Sequence, residues 1–316
     1  MLNEHELYNK YSDYLKEKYG EKVYKLPINL PVSCPNRLEG SGCSFCAENG
    51  TGFEAYSNQL SVTNQLTITK EKITKKYKAK KYIAYFQNFT NTFLPLQEFK
   101  KYMVEAALVS DVVQLSISTR PDCITKEYLD VLNEIQDTFH MDINIELGIQ
   151  TANYHTLKEI NRGHSLAEFI DAMLQIKAYS FTTCAHVILN LPGDNIDDSI
   201  ETAKIISALG VDIVKIHSLY IAHNTVLCNE YKSGRMTICS KEEYIHRLIC
   251  FVEYLNPEIV IERMFSRIPK EDSIFSNWGT SWWKLQEEVL LQMQLQQSFQ
   301  GKCFHYLNGA ALKKLP

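Results

Sequence analysis

Six short runs of apolar, largely β-branched residues alternate along this chain of 316 residues with segments that have helical periodicity. Such runs are typical of parallel strands whose outer face is covered, and their alternation with helices implies right-handed βαβ units. The predicted strands are residues 23–30, 82–87, 112–118, 143–149, 184–191 and 213–220. Helical patterns between them include residues 99–108, 126–135, 166–178 and 199–208. The pattern predicts an α/β fold with a partial (β/α)6 TIM-like barrel, and an open doubly wound sheet stays the alternative.

The character of the chain changes after the sixth predicted strand. Residues 241–254 and 282–297 have helical patterns, and residues 258–264 resemble one more strand. No linker rich in proline, glycine or serine separates this part from the barrel. We therefore expect an N-terminal helical segment over residues 1–22, a barrel over residues 23–240, and a C-terminal α/β extension over residues 241–316 that packs on the barrel.

Composition and charge favour a cytoplasmic protein that has no membrane partner. The chain is 45% hydrophobic and 22% charged, which is ordinary for a globular protein, and it has no apolar run of about eighteen residues. The first residues lack the apolar core of a signal peptide. A net charge of −4 does not indicate a protein that attracts nucleic acid over its whole surface. One local basic cluster exists, and its plainer interpretation is the solvated face of a helix. Its members are Lys70, Lys72, Lys75, Lys76, Lys78, Lys80 and Lys81.

Three of the nine cysteines lie in one long loop that follows the first predicted strand. Cys34, Cys43 and Cys46 fall within a segment of low periodicity that several glycines punctuate, and long loops inside compact domains are often functional. Thiolates are soft ligands that suit zinc or iron–sulfur clusters. A structural zinc site needs four ligands, and no second CxxC pair lies nearby. Three thiolates instead suit a four-iron cluster with one iron open.

This loop, with the aromatic Phe45 before its last cysteine, resembles that of radical S-adenosylmethionine (SAM) enzymes. The gap of eight residues between the first two cysteines is longer than the usual three and is similar to that of the subgroup of the Elongator catalytic subunit. Residues 146–150, 161–164 and 186–193 resemble further motifs of that subgroup. Residues 85–92 and 116–122 resemble a bacterial branch of the superfamily, and the likeness extends over about residues 20–270.

The resemblance implies two cofactors and a set of residues that bind them. Cys34, Cys43 and Cys46 would bind three irons of a single [4Fe–4S] cluster, whose fourth iron holds the amino and carboxylate groups of SAM. The reduced cluster would then cleave SAM to methionine and a 5′-deoxyadenosyl radical. The residues implied to contact SAM are Gln87, Asn88, Ser116, Gln150, Arg162 and His186. No catalytic residue is assigned.

Among these residues, Gln150 and Arg162 are expected at the methionine end of SAM, since a guanidinium pairs well with a carboxylate. His186 stands where relatives contact the ribose, and Gln87 and Asn88 replace the glycine-rich segment that receives the amino group. Plainer alternatives exist: Arg162 as a helix cap before Gly163, Gln150 as a partner of loop backbone, and His186 as a core histidine.

The resemblance implies an oxidoreductase or transferase. The Elongator-like subgroup implies that the substrate is tRNA and that the modified group is the side chain of the wobble uridine. It also implies a reducing partner such as flavodoxin or ferredoxin. A radical SAM enzyme that acts on a small molecule is one alternative. A protein of another class, which binds a metal through thiolates or senses redox state, is the second.

Overall fold

The computed structural model describes residues 4–38, 40–47, 50 and 52–314. Its strands are β1 (Val23–Ile28), β2 (Lys81–Phe86), β3 (Val112–Thr119), β4 (Asp142–Gln150), β5 (Thr182–Ile188), β6 (Ile213–His217), β7 (Ile221–Ala222), β8 (Val260–Arg263) and β9 (Ser273–Phe275). Its helices are α1 (Glu4–Leu7), α2 (Tyr11–Tyr19), α3 (Pro35–Leu38), α4 (Val62–Tyr77), α5 (Leu96–Ala107), α6 (Lys126–Phe139), α7 (Tyr154–Glu159), α8 (Leu166–Ile176), α9 (Ile196–Ala208), α10 (Val226–Lys232), α11 (Lys241–Tyr254) and α12 (Trp282–Leu295). Short 3-10 turns lie at Asn91–Phe93, Pro121–Cys123, Lys270–Asp272, Asn277–Gly279 and Ala310–Lys314.

Seven parallel strands form one sheet in the order β1-β2-β3-β4-β5-β6-β8, which curls into a half-barrel. The predicted α/β partial barrel is confirmed. The sheet has one strand more than the six predicted, because β8 pairs in parallel with β6. β8 lies in the stretch that the sequence pattern assigned to the C-terminal extension, so the expected boundary at residue 240 falls before the last barrel strand. β7 and β9 form a separate antiparallel pair.

The four helical segments predicted between strands are confirmed as α5, α6, α8 and α9. α8 begins after Ser165, whose side chain forms a capping box with Glu168, and α9 begins in the same way after Asn195 with Asp198. Their apolar faces cover the outer face of the sheet, as the pattern of parallel strands requires. In the part of the chain that the structure describes, no helix has the length and apolar character needed to cross a membrane.

Helix α2 closes the amino end of the half-barrel. Tyr11 and Leu15 pack there in a small apolar cluster with Ile83, Cys184, Ile213 and Val260. The amide of Ile261 donates a hydrogen bond to the carbonyl of Asn9 (2.8 Å), so the chain before α2 continues the edge of the sheet beside β8. The predicted N-terminal helical segment is therefore part of the packing of the barrel.

The lysine-rich stretch lies at the same amino end, away from the cysteine loop. α4 leaves the carboxyl end of β1 and returns the chain to the start of β2. Lys70 forms an ion pair with Asp111 (2.7 Å), which directly precedes β3, and Lys81 donates to the carbonyl of Tyr19 (2.9 Å). The exposed side chains of this stretch are those of Lys72, Lys75, Lys76, Lys78 and Lys80. Lys75 to Lys80 therefore face solvent at the end of the barrel opposite to the cysteines.

Candidate active site at the carboxyl ends of the strands

The loop with the three clustered cysteines is held against the turn that follows α7. The side-chain amide of Asn36 donates to the carbonyl of Asn161 (2.7 Å), and the side-chain amide of Asn161 donates to the carbonyl of Gly42 (2.7 Å). The amide of Ser44 donates to the carbonyl of Ile160 (2.9 Å). Asn161 has φ of 51°, a left-handed conformation that asparagine tolerates better than most residues. Residues far apart in sequence thus shape the loop.

Each of the three thiols lies beside the guanidinium group of an arginine. The pairs are Arg37 with Cys46 (Nη2–Sγ 3.3 Å), Arg162 with Cys43 (Nη1–Sγ 3.6 Å) and Arg120 with Cys34 (Nη1–Sγ 3.9 Å). Arg120 is itself fixed by two hydrogen bonds to Asp122 (2.9 and 2.6 Å). Guanidinium groups stabilise negative charge on neighbouring atoms, so this loop suits a group whose ligated sulfurs carry negative charge.

The sulfur atoms are spread too widely for one metal ion. Among the described residues, only Glu146, Cys184 and His186 form a group whose ligand atoms all lie within 4.8 Å of one another, so the three loop thiols do not. Two sulfurs on one zinc ion, at about 2.3 Å each, would be at most about 4.6 Å apart. Burial raises the pKa of the Cys46 thiol despite the opposing effect of Arg37, and metal ligation removes such a proton. The donor set fits a multi-iron cluster with one thiolate per iron.

The end of β4 brings Gln150 and Arg162 together over Gly148. The register shifts between Gly148 and Gln150, which has φ of 68°. A Cβ on Gly148 would lie 2.5 Å from Nε2 of Gln150 and 2.6 Å from Nη2 of Arg162. The backbone amide of Arg162 donates to the carbonyl of Leu157 in α7 (2.9 Å), whereas its guanidinium donates to the carbonyl of Gly148 (3.1 Å). The buried Nε of that guanidinium has no partner. These two side chains can therefore offer donors to a carboxylate.

The segment after β2 presents buried acceptors that have no donor. The side-chain amide of Asn88 donates to Oδ1 of Asn29 (3.0 Å), whereas Oδ1 of Asn88 and Oγ1 of Thr90 are buried without a partner. The cysteine loop passes so close that a Cβ on Gly52 would lie 2.1 Å from Oδ1 of Asn88. Buried polar atoms without partners are rare, and these fit a ligand that donates hydrogen bonds, such as an amino group.

A polar network fills the interior of the half-barrel below this loop, and all seven strands of the sheet contribute to it. The contributing side chains, from β1 to β8, are Lys25, Tyr85, Ser116, Glu146, His186, Lys215 and Glu262. The carboxylate of Glu146 accepts from Lys25 (2.8 Å), Lys215 (2.6 Å), Ser116 (2.5 Å) and His186 (2.7 Å). Ser116 and His186, two of the predicted SAM contacts, are thus held by one carboxylate.

The charges of this network determine the protonation state of His186. Burial raises the pKa of Glu146, but the ammonium groups of Lys215 and Lys25 outweigh it and hold that pKa well below its usual range. Burial, together with Lys215, lowers the pKa of His186 to about 4. A neutral His186 that donates from Nε2 to Glu146 keeps Nδ1 as an acceptor for a hydroxyl group. The two lysines also make a metal ion beside Glu146 and Cys184 unfavourable.

A cavity of about 1260 Å³ opens beside the network, between β1 and the segment that follows β8. Phe53 and Gln87 line it on the side of the cysteine loop, whereas Lys25 and Lys215 line it toward the barrel interior. Its remaining wall comes from α2, β1, β2, α4 and residues 262–282, and it includes the carboxylates of Glu54 and Glu262. Cationic and aromatic side chains, together with these two carboxylates, therefore line a space that adjoins the candidate cofactor site.

Several residues of this site were not predicted from the sequence. Arg37 and Arg120 reach the thiols only through the fold, and the sequence offered no signal for them beyond their nearness to the motifs. Lys25 and Lys215 had a usable signal, because a lysine within an otherwise apolar strand must find a buried partner.

A parallel half-barrel with a trio of thiols at the carboxyl ends of its strands defines an α/β metalloprotein. Residues 28–206 match the family model described as the Radical SAM superfamily, and residues 211–294 match the one described as the Radical_SAM C-terminal domain. The chain therefore belongs to the radical SAM superfamily. The cofactors of this family, a [4Fe–4S] cluster and SAM, are those of this chain.

The chain is also similar in sequence to individual proteins. The chain is 30% identical over 308 residues to the protein YtqA of Bacillus subtilis (strain 168), and the match covers 96% of this chain and 95% of that protein. It is 27% identical over 151 residues to a tRNA uridine(34) acetyltransferase of Methanocaldococcus infernus, which covers 47% of this chain and 27% of that protein.

Among solved structures, the archaeal Elp3 of Methanocaldococcus infernus matches with a TM-score of 0.67 and 19% identity. The match covers 88% of this chain and 64% of that one, so the chain spans less than two thirds of the Elp3 structure. At this identity the likeness supports the fold alone.

Proposed function

We propose that this chain is a radical SAM enzyme that modifies the side chain of the wobble uridine of tRNA. The observation that carries the proposal is the cationic and aromatic cavity beside the candidate cofactor site. RNA is recognised by splaying out single bases, stacking them on aromatic or guanidinium groups, and contacting the phosphates. The name of the tRNA uridine(34) acetyltransferase that the chain resembles over 151 residues agrees with such a substrate.

In this function Cys34, Cys43 and Cys46 hold the cluster, and Arg37, Arg120 and Arg162 offset the negative charge of its sulfurs. When bound, the reduced cluster and SAM supply a carbon radical that removes a hydrogen atom from the substrate. A reducing partner such as flavodoxin or ferredoxin provides the electron.

The remaining predicted contacts orient SAM. Arg162 and Gln150 hold the methionine carboxylate, while Gln87 and the Oδ1 atom of Asn88 face the amino group. His186 accepts a ribose hydroxyl at Nδ1. Ser116 supports this contact by donating to Glu146, which receives the Nε2 hydrogen of His186.

The exposed lysines of α4 have a secondary part in this proposal. They face solvent, whereas Ile73 and Tyr77 of the same helix line the cavity, so these lysines contact parts of a tRNA that lie outside the cavity. Contacts near the reacting base must come from the wall of the cavity.

The test compares the tRNA nucleosides of a strain that lacks the gene with those of its parent. We expect one wobble-uridine derivative to change and to be restored by the wild-type gene and by Cys239→Ala, but not by Cys43→Ala. If the nucleosides are identical while the purified protein cleaves SAM on a small molecule, the small-molecule alternative replaces the tRNA proposal. A colourless protein that contains one zinc would instead support the thiolate-metal alternative.

A further inference from the structure

Two arginines in the wall of the cavity form no ion pair with any carboxylate of the described residues. Arg263 ends β8, and Arg267 follows four residues later. From these guanidinium groups we infer that Arg263 and Arg267 bind a phosphodiester group of an RNA strand at the mouth of the cavity. The inference rests on the proposed function and adds to it the place where the RNA backbone is held.

The contacts of the two guanidinium groups are with aromatic rings and not with carboxylates. Nη2 of Arg263 contacts the ring of His217 (2.9 Å to Nδ1), and the buried Nε of Arg263 has no partner. The guanidinium of Arg267 lies over the ring of Trp282, 3.8 Å from its centroid. Among the residues that the structure describes, no carboxylate oxygen lies within salt-bridge distance of either arginine.

Two lysines that also line the cavity provide a contrast, whereas Lys270 lies on the same segment as Arg267. Lys25 and Lys215 share the carboxylates of Glu146 and Glu262 at 2.6 to 3.0 Å, so their charges are neutralised inside the barrel. The positive charge that remains available to a ligand therefore lies on the segment after β8. An anion is the group that such a segment attracts.

The charge of Arg263 also disfavours the charge of Arg267. Burial and then the charge of Arg263 lower the pKa of Arg267, and Glu54 and Glu262 offset this only in part. His217 cannot compensate, because burial and Arg263 hold its pKa well below the usual value and keep the ring neutral. A phosphate that accepts hydrogen bonds from both guanidinium groups would relieve their repulsion.

The surroundings of the pair match a nucleotide better than a bare anion. Trp282 begins α12, the side chain of Ser281 makes no capping hydrogen bond, and the first turn holds no acidic residue. The positive end of that helix dipole adds to the field of the arginines. Phe275 and Phe53 line the same cavity and offer faces for a base, and Gln87 lines its cofactor side. A phosphate at the arginines would thus leave the adjoining nucleoside inside the cavity.

The test measures binding of a fluorescently labelled anticodon stem–loop RNA to the cluster-loaded protein as salt is raised. For Arg267→Gln we expect affinity to fall about tenfold and the slope of log K against log salt to become less steep by about 0.7, the value of one phosphate contact in single-stranded RNA. Arg267→Lys, which keeps the charge but loses the planar fork, should retain the slope. Combined with Arg267→Gln, Arg263→Gln should lower the affinity for RNA further and make the slope of log K against log salt still less steep.

Arg235→Gln is the matched control, because Arg235 is exposed, pairs with Glu230 (2.8 Å) and is absent from the cavity wall. It should leave binding and slope unchanged. Iron content and thermal midpoint verify that each variant is folded. If wild-type protein binds RNA but Arg263→Gln and Arg267→Gln keep its slope, this inference is wrong and the proposed function stands. If wild-type protein binds no RNA at any salt concentration, the proposed function itself fails.

Discussion

Gly148 shows at the scale of one residue how the candidate SAM site is assembled. It lies on β4 between the side chains of Gln150 and Arg162, and no residue with a Cβ fits there without displacing one of them. Glycine is required here by close approach, since a side-chain nitrogen of each neighbour lies where its Cβ would make contact. The predicted binding of the methionine end of SAM therefore depends on a residue that makes no polar side-chain contact.

Gly148→Ala should weaken SAM binding about tenfold or more, because the new methyl group displaces the donors expected to hold the carboxylate. Iron content should stay unchanged, since the three cysteines lie on another loop. Equilibrium dialysis with radiolabelled SAM measures the effect. Gly40→Ala is the control: its Cβ would lie 3.7 Å from the nearest atom, an ordinary contact, and SAM affinity should be retained. Equal affinity for SAM in wild type and Gly148→Ala would contradict the placement.

At the scale of elements, the two edge strands of the half-barrel are joined by charge instead of backbone hydrogen bonds. β1 and β8 are at opposite ends of the strand order, yet Lys25 on β1 and Glu262 on β8 form an ion pair of 2.6 Å. Glu262 also receives Lys215 from β6 (3.0 Å). This pair, together with α2 at the amino end, closes the open side of the sheet below the cavity.

Glu262→Gln should destabilise the protein by about 3–5 kcal/mol, because it leaves two buried ammonium groups with Glu146 as their one remaining carboxylate. The shift of the midpoint in guanidinium chloride denaturation measures this cost. Glu201→Gln breaks an exposed pair with Lys204 and should cost less than about 1 kcal/mol. Similar midpoints for the two variants would mean that the buried network does not close the barrel.

At the scale of the whole molecule, chemistry is concentrated at one end of the barrel. The thiols, Gln150, Arg162 and Asn88 lie at the carboxyl ends of the strands, whereas α2 and the lysine-rich turn after α4 occupy the amino ends. The six cysteines outside the loop take no part in a second thiol cluster among the described residues. One cluster per chain is therefore expected.

Protein reconstituted without oxygen should contain about four irons per chain. Replacement of Cys34, Cys43 or Cys46 by alanine should abolish the brown colour and the iron, because each thiolate is predicted to bind a different iron. Cys239→Ala should retain both, since that thiol packs against the hydrophobic core. Iron and sulfide analysis, together with electron paramagnetic resonance, measures the number of clusters per chain. A content near eight irons with two spectroscopic species would refute a single cluster.

The local sequence pattern was sufficient to predict the parallel half-barrel and the position of the cysteine loop. β-branched runs and helical periodicity are properties of neighbouring residues, so strands β1 to β6 and helices α5, α6, α8 and α9 could be predicted from the chain alone. The spacing of Cys34, Cys43 and Cys46 likewise indicated a shared metal group. The sequential order of the strands came from the structure, and it agrees with the tendency of successive parallel strands to neighbour one another.

Only the tertiary structure decided which side chains meet. Arg162 lies 119 residues from Cys43, and Arg120 lies 86 residues from Cys34, so no local pattern pairs them. The same long-range packing joins β8 to the barrel and brings Lys25 to Glu262. It also places Arg263 and Arg267 beside aromatic rings in the cavity wall. Periodicity records which face of an element is buried, whereas the partners across that face are set by how all seven strands curl around one interior.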